Sequence, residues 1–206
     1  MHPNPAFRGE AAARSLAFAR DRAFGTLVVA AGPWPLLSHV PFLLDRGGGA
    51  ADLHLVRSNP IARGEDGPAT LAVTGPDGYV SPDWYGVPDQ VPTWNYVAVH
   101  LRGRLERRPD AEMRDLLDRQ SAEAERRLLP KPPWRTGKMT PDVLERMMRQ
   151  IVPFRLHVED VQATWKLSQN KPDPVRLAAA HGLAAAGLRD DAGTLAGLMR
   201  DGPAGP

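Results

Sequence analysis

Three clusters of polar and aromatic residues combine side chains able to grip an anion or read the edge of a heterocycle. Arg57-Ser58-Asn59, inside the run 54–60, sets a guanidinium, a hydroxyl and an amide at the end of an apolar segment. A guanidinium fork suits bidentate phosphate binding, and the hydroxyl and amide can bond the same oxygens. A strand-ending turn with a surface arginine would use the same residues. Residues 75–85 run on to 91–96 and bring together prolines, glycines and aromatics, ending in Trp94-Asn95-Tyr96. Aromatics gathered in an irregular segment need a cover, which is the protein's own core, a partner subunit or a planar ligand. Residues 164–171, with Lys166, Ser168, Gln169, Asn170 and Lys171, form the third cluster. There a lysine offers a point charge to a phosphate or carbonyl, and the amides offer paired donors and acceptors. Ser38-His39 is a smaller polar break in the apolar run 36–44, where a histidine is either a satisfied structural residue or a fourth contributor to a site.

Much other chemistry is excluded. There is no Walker A or GxGxxG phosphate loop, no HExxH and no nucleophile-base motif, and Asp45, Asp52, Asp77 and Asp83 lack metal-ligand spacing, so no metal site is expected. The absence of cysteine removes disulfides, thiolate catalysis and iron–sulfur clusters, and fits a reducing compartment. No stretch approaches the roughly 18 apolar residues of a membrane span and the N-terminus has no leader pattern, so a cytoplasmic protein is expected.

At 206 residues, 42% apolar and 24% charged, the chain is long enough for one substantial core and has an ordinary globular composition. The formal charge is only +2, but residues 102–149 hold 13 of the 26 basic residues against 9 of the 24 acidic ones. Any contact with a polyanion such as DNA is therefore expected in 102–149, although mixed charges on amphipathic helices also make an ordinary solvated, ion-paired face.

The elements that must position the clusters follow from periodicity. Residues 10–22 read as a helix closed by Gly25. Strands follow at 26–31 and 36–44, forming a hairpin around Gly32-Pro33, with Pro41 marking an edge or bulge, and then at 51–56, 69–73, 93–106 and 154–161. Along 93–106, Trp94, Tyr96 and Ala98 share one face while Asn95, Val97 and Val99 share the other. Between the last two strands the period changes to helical. Met113, Leu116, Leu117, Gln120 and Ala124 trace one face, and Thr140-Pro141 starts a second helix with Val143, Leu144, Met147, Met148 and Ile151 inward. After Lys171 an alanine- and glycine-rich tail predicts two short helices, with the last five residues disordered. Consecutive antiparallel strands with tight turns argue for a closed or sandwiched β architecture.

The stretches SHVPFLLD (38–45), LHLVRSNP (53–60), GPDGYVSPDWY (75–85), VPTWNYVAVHLRGRL (91–105) and IVPFRLHVEDVQATWKLSQNK (151–171), in this order, resemble the PaiB-like FMN-binding negative transcriptional regulators. The resemblance implies a mainly β, α+β fold. It would be an antiparallel split β-barrel domain over 1–171, with a helical insert at about 109–151 and a helical tail over 172–206. It further implies a homodimer with FMN in the cleft between subunits, and a role in repressing transcription. On that reading Arg57 and Ser58 hold the FMN phosphate while Asn59 shapes the turn and Ser38 and His39 lie nearby. Trp94, Asn95 and Tyr96 line the pocket, and Lys166, Ser168, Gln169 and Asn170 close it. The same pocket would also serve an FMN-dependent oxidoreductase or flavin reductase, or a haem protein with His39 or His100 as axial ligand.

Overall fold

In the computed structural model, which describes residues 1–202, six strands are hydrogen-bonded in the order β1-β2-β3-β6-β5-β4 and close into a barrel. They are β1 (Phe24–Val29), β2 (Leu36–Leu44), β3 (Ala50–Val56), β4 (Gly67–Val80), β5 (Thr93–Arg107) and β6 (Ile151–Lys166). Helix α1 (Ala12–Arg22) precedes them, α2 (Met113–Arg126) and α3 (Pro141–Met148) lie between β5 and β6, and α4 (Asp173–Ala186) and α5 (Ala192–Asp201) follow. The predicted antiparallel barrel, helical insert and helical tail are all present. The disorder expected at the chain end concerns residues that fall, apart from Gly202, outside the described ones.

The chain divides into two compact units, the first comprising 19–72 and 101–161, the second 1–18, 73–100 and 162 onward. In the first, β1 pairs antiparallel with β2 and β4, and β3 with β2 and β6. Pro41 pairs with Phe24 of β1, whereas the β3 pairing of β2 begins at Phe42. The proline sits where the strand changes partners, so its missing donor costs no ladder bond. Leu27, Leu53, Leu71, Leu101 and Leu156 fill this unit's core. Asp52 points the other way, out of β3. Its carboxylate takes two bonds from Arg155, at 2.7 and 3.1 Å, and one from Arg119 of α2 at 3.0 Å. Burial alone would raise its pKa, yet the two guanidiniums hold it below the ordinary carboxylate value. Next to it His54 shares a 3.1 Å bond with Gln120, so polar contacts tie α2 to β3.

In the second unit, β4 continues through Gly75-Pro76-Asp77-Gly78 to Val80, where the turn residues predicted an irregular segment. Packing overrides local preference here. A Cβ at Gly75 would lie 2.5 Å from the Phe18 ring, so only glycine lets the strand run beneath α1. The core contains Val80, Tyr85, Val97, Trp165 and Leu167, covered by Ala179, Ala180 and Leu183 of α4 and Leu195, Ala196 and Met199 of α5. Gly182 lies against the Trp84 indole, where a Cβ would come within 2.4 Å. Arg176, almost wholly buried, bridges the two helices by donating to the carbonyls of Met199 and Arg200 and to Asp173. The tail is thus an integral wall of this unit.

Candidate functional site

A cavity of about 230 Å³ opens in the second unit beside Asn95. Along β5 the two-residue repeat sends Thr93 and Asn95 toward it, with Val97 continuing the same face into the core. Trp94 and, by the same repeat, Tyr96 lie on the opposite face. The Trp94 indole is nearly half exposed, donates to Asp77 at 2.8 Å and meets Tyr79 edge-on.

Asn95 is fully buried. Its amide nitrogen donates to the Ser168 hydroxyl at 2.9 Å and to the Met199 thioether at 3.5 Å, while its carbonyl oxygen Oδ1 has no partner among the described residues. Ser168 also bonds the Tyr85 hydroxyl at 3.1 Å and has φ of 61°, a left-handed conformation unusual for a serine. That backbone costs on the order of 1 kcal/mol or more, and persists because Asn95 and Tyr85 fix the side chain. Gln169 stabilises the same turn, accepting from the Leu167 amide at 2.8 Å and donating to the Ala6 and Trp165 carbonyls.

Two ammonium groups line the cavity. Lys166 donates to Thr93 at 2.5 Å, and burial lowers its pKa below that of an ordinary lysine. Lys171 donates to Gln90 at 2.6 Å and lies 5.5 Å from the Tyr85 ring centroid. Asn170 completes this side. His2, Asn4 and Phe7 also line it, held there by the His2 amide, which donates to Thr164 at 3.0 Å, and by the edge-on contact of His2 with Phe7. Nothing in their local sequence marks these three, because the contact spans the whole chain.

The other predicted residues, Ser38, His39, Arg57, Ser58 and Asn59, belong to the first unit. Asn59 donates to the Ser38 hydroxyl at 3.1 Å and accepts from the Ile61 amide, holding the turn after β3. His39 shares a 2.9 Å bond with Thr26 on the neighbouring strand. Arg57 is exposed at the mouth of a second hollow lined by Asp110, Arg114 and Arg149. It donates to Asp110 at 2.9 Å and to the Arg149 and Ile151 carbonyls. Ser58, also exposed, follows it in the turn. In the basic stretch 102–149, Arg102, Arg107, Arg108, Arg114, Arg119, Arg126, Arg127 and Lys131 each have a carboxylate partner. Among the described residues no group of histidines and acids could hold a metal ion, and no helix is long and apolar enough to cross a membrane.

The family described as "Putative FMN-binding domain" matches residues 1–160. The chain belongs to this family. FMN is accordingly its cofactor. The protease synthase and sporulation protein PAI 2 of Bacillus subtilis (strain 168) is 32% identical over 158 residues, covering 75% of each chain. Among solved structures, the FAD and heme binding protein from Mycobacterium smegmatis matches with a TM-score of 0.56 at 19% identity, covering 77% of this chain and 73% of that one. A conserved hypothetical protein from Mycobacterium tuberculosis matches with a TM-score of 0.53 at 15% identity, covering 81% of this chain and 92% of that one. Both share the barrel fold.

The residues around Asn95 suit FMN. A buried acceptor without a donor is costly, and the imide N–H of a flavin ring is such a donor. Lys166, Lys171 and Asn170 offer donors to carbonyl or phosphate oxygens. At about 230 Å³ the cavity is smaller than the roughly 300–1,000 Å³ usual for whole small-molecule sites, room for only part of a molecule the size of FMN.

Proposed function

We propose that this chain is a cytoplasmic, homodimeric regulator of the PaiB type whose FMN is held in part by the cavity beside Asn95. The observation that carries this reading is the unpartnered, buried Oδ1 of Asn95 in a lysine-lined cavity of an FMN-binding family member. The cavity's small volume supports the dimer, because the rest of FMN needs cover from another surface. So do the exposed apolar side chains, Phe24, Trp34 and Leu37 in one unit and Tyr79, Val91 and Trp94 in the other. On this reading Arg57 and Ser58 hold the phosphate, and Lys166, Ser168, Gln169 and Asn170 close the site from the second copy. When bound, FMN supplies redox chemistry, while the chain binds it, orients it and excludes water.

The regulatory step rests on the PaiB-type relationship. Among the described residues, the cations of 102–149 without a carboxylate partner, Arg104, Arg135, Lys138, Arg146 and Arg149, are the ones available to DNA phosphates. The test is a titration of purified protein with FMN, followed by flavin absorption and fluorescence, with light scattering for mass. Saturation at one FMN per chain and a dimer mass support the proposal, and an unperturbed flavin spectrum overturns it. Fluorescence anisotropy with DNA from the protein's own promoter region against random duplex tests the regulatory half, which fails if the two bind equally.

A further inference from the structure

A further cavity of the first unit is lined by none of the residues of the predicted clusters. It has a volume of about 580 Å³ and lies between α2 and the loop joining α2 to α3. The loop is fixed at two points. Glu125 accepts from the Trp134 amide at 2.9 Å and from Lys131 at 2.5 Å. Thr136, buried, donates to Asp118 at 2.5 Å and accepts from Arg114 at 2.8 Å. Between these anchors the walls come from Ala122, Leu129, Pro133 and Trp134, with Arg126 and Arg135 bringing charge.

The charges nearly cancel, and what is left identifies the occupant. Asp118 is neutralised by Arg114 at 3.0 Å, and Arg126 by Glu123 at 2.5 Å. Arg135 has no carboxylate partner among the described residues. One uncompensated guanidinium beside an indole in a cavity of drug-like size fits a ligand with one negative charge and one flat apolar ring. The guanidinium can take a carboxylate in bidentate fashion, and the ring can stack on Trp134. A phosphate dianion would leave excess negative charge next to Asp118 and Glu123.

We propose that the helical insert carries a second ligand site, separate from the cofactor site, for a small aromatic carboxylate, with Arg135 binding the carboxylate and Trp134 the ring. Placed in the insert that bears the basic surface, the site would serve as an effector pocket. The probe is 2-naphthoate, titrated by calorimetry into wild-type protein and into Arg135→Gln, with 2-naphthamide as the uncharged analogue. The expected result is saturable one-to-one binding to the wild type. Arg135→Gln and the amide should each weaken it about ten-fold, as loss of a charge-assisted pair requires. Binding should persist in FMN-saturated protein, and FMN affinity should be unchanged in Arg135→Gln, whose exposed side chain can be replaced without disturbing the fold. No saturable binding, equal affinity in Arg135→Gln, or displacement of 2-naphthoate by FMN would each overturn the proposal.

Discussion

The Asn95 amide donates to the Ser168 hydroxyl at 2.9 Å, with both residues buried, so a side chain of β5 is locked to the turn that ends β6. The Asn95 carbonyl oxygen is left without a partner among the described residues. Asn95→Leu should lower FMN affinity by about ten-fold, equivalent to ~1.4 kcal/mol. It should cost about 1–2 kcal/mol of stability, because Ser168 loses a donor and its left-handed backbone loses an anchor. Flavin fluorescence titration and urea unfolding measure the two effects, and unchanged FMN affinity would detach Asn95 from the cofactor.

Lys166 should give FMN binding an alkaline limit. Burial depresses its pKa below the 10.5 of an ordinary lysine, so its charge is lost earlier as pH rises. The apo protein should gain stability as pH rises from the lowered folded value toward 10.5, because the charged form is the disfavoured one in the folded state. FMN affinity should fall over the same range, and Lys166→Met should abolish both trends. A pH series of flavin titrations and thermal melts shows this directly.

Asp52→Asn should destabilise the first unit by about 1–3 kcal/mol. That is less than a fully buried pair would cost, because Arg155 and Arg119 stay partly in water. The folded pKa of Asp52 is depressed, so its contribution is complete above the ordinary 3.8 and lost as pH falls through the lower folded value. Wild type and variant should therefore converge in stability in strong acid, as denaturant melts across pH would register.

Two glycines of the C-terminal helices should respond oppositely to alanine. Gly182→Ala drives a methyl into the Trp84 ring and should cost about 1–3 kcal/mol. Gly193→Ala, with nothing within 4 Å of the new carbon, should be neutral or stabilising by up to about 1 kcal/mol. Equal melting temperatures for the two variants would show that α4 does not pack on Trp84.

Legibility in the sequence followed the range of the interaction. β2 occupies 36–44 as its apolar run predicted, and the switch from strand to helical period located α2 and α3. β4 and β6 run beyond the predicted 69–73 and 154–161. Gly75-Pro76-Asp77-Gly78 reads locally as a turn, and the polar residues after Val161 interrupt the alternation, while packing keeps both segments extended. Asn95, Lys166, Ser168 and Asn170 were visible as a polar motif. Lys171 stands in the same motif, but His2, Asn4 and Phe7 do not, since their place in the cavity depends on contacts across the chain, of which the bond from His2 to Thr164 is one.

The sulfur that receives the Asn95 amide belongs to Met199, 104 residues further along and beyond the family match at 160. During synthesis the barrel strands therefore leave the ribosome before the site can be finished. The surroundings of Asn95 are thus completed only by the last helix to be made, α5, after every barrel strand has emerged.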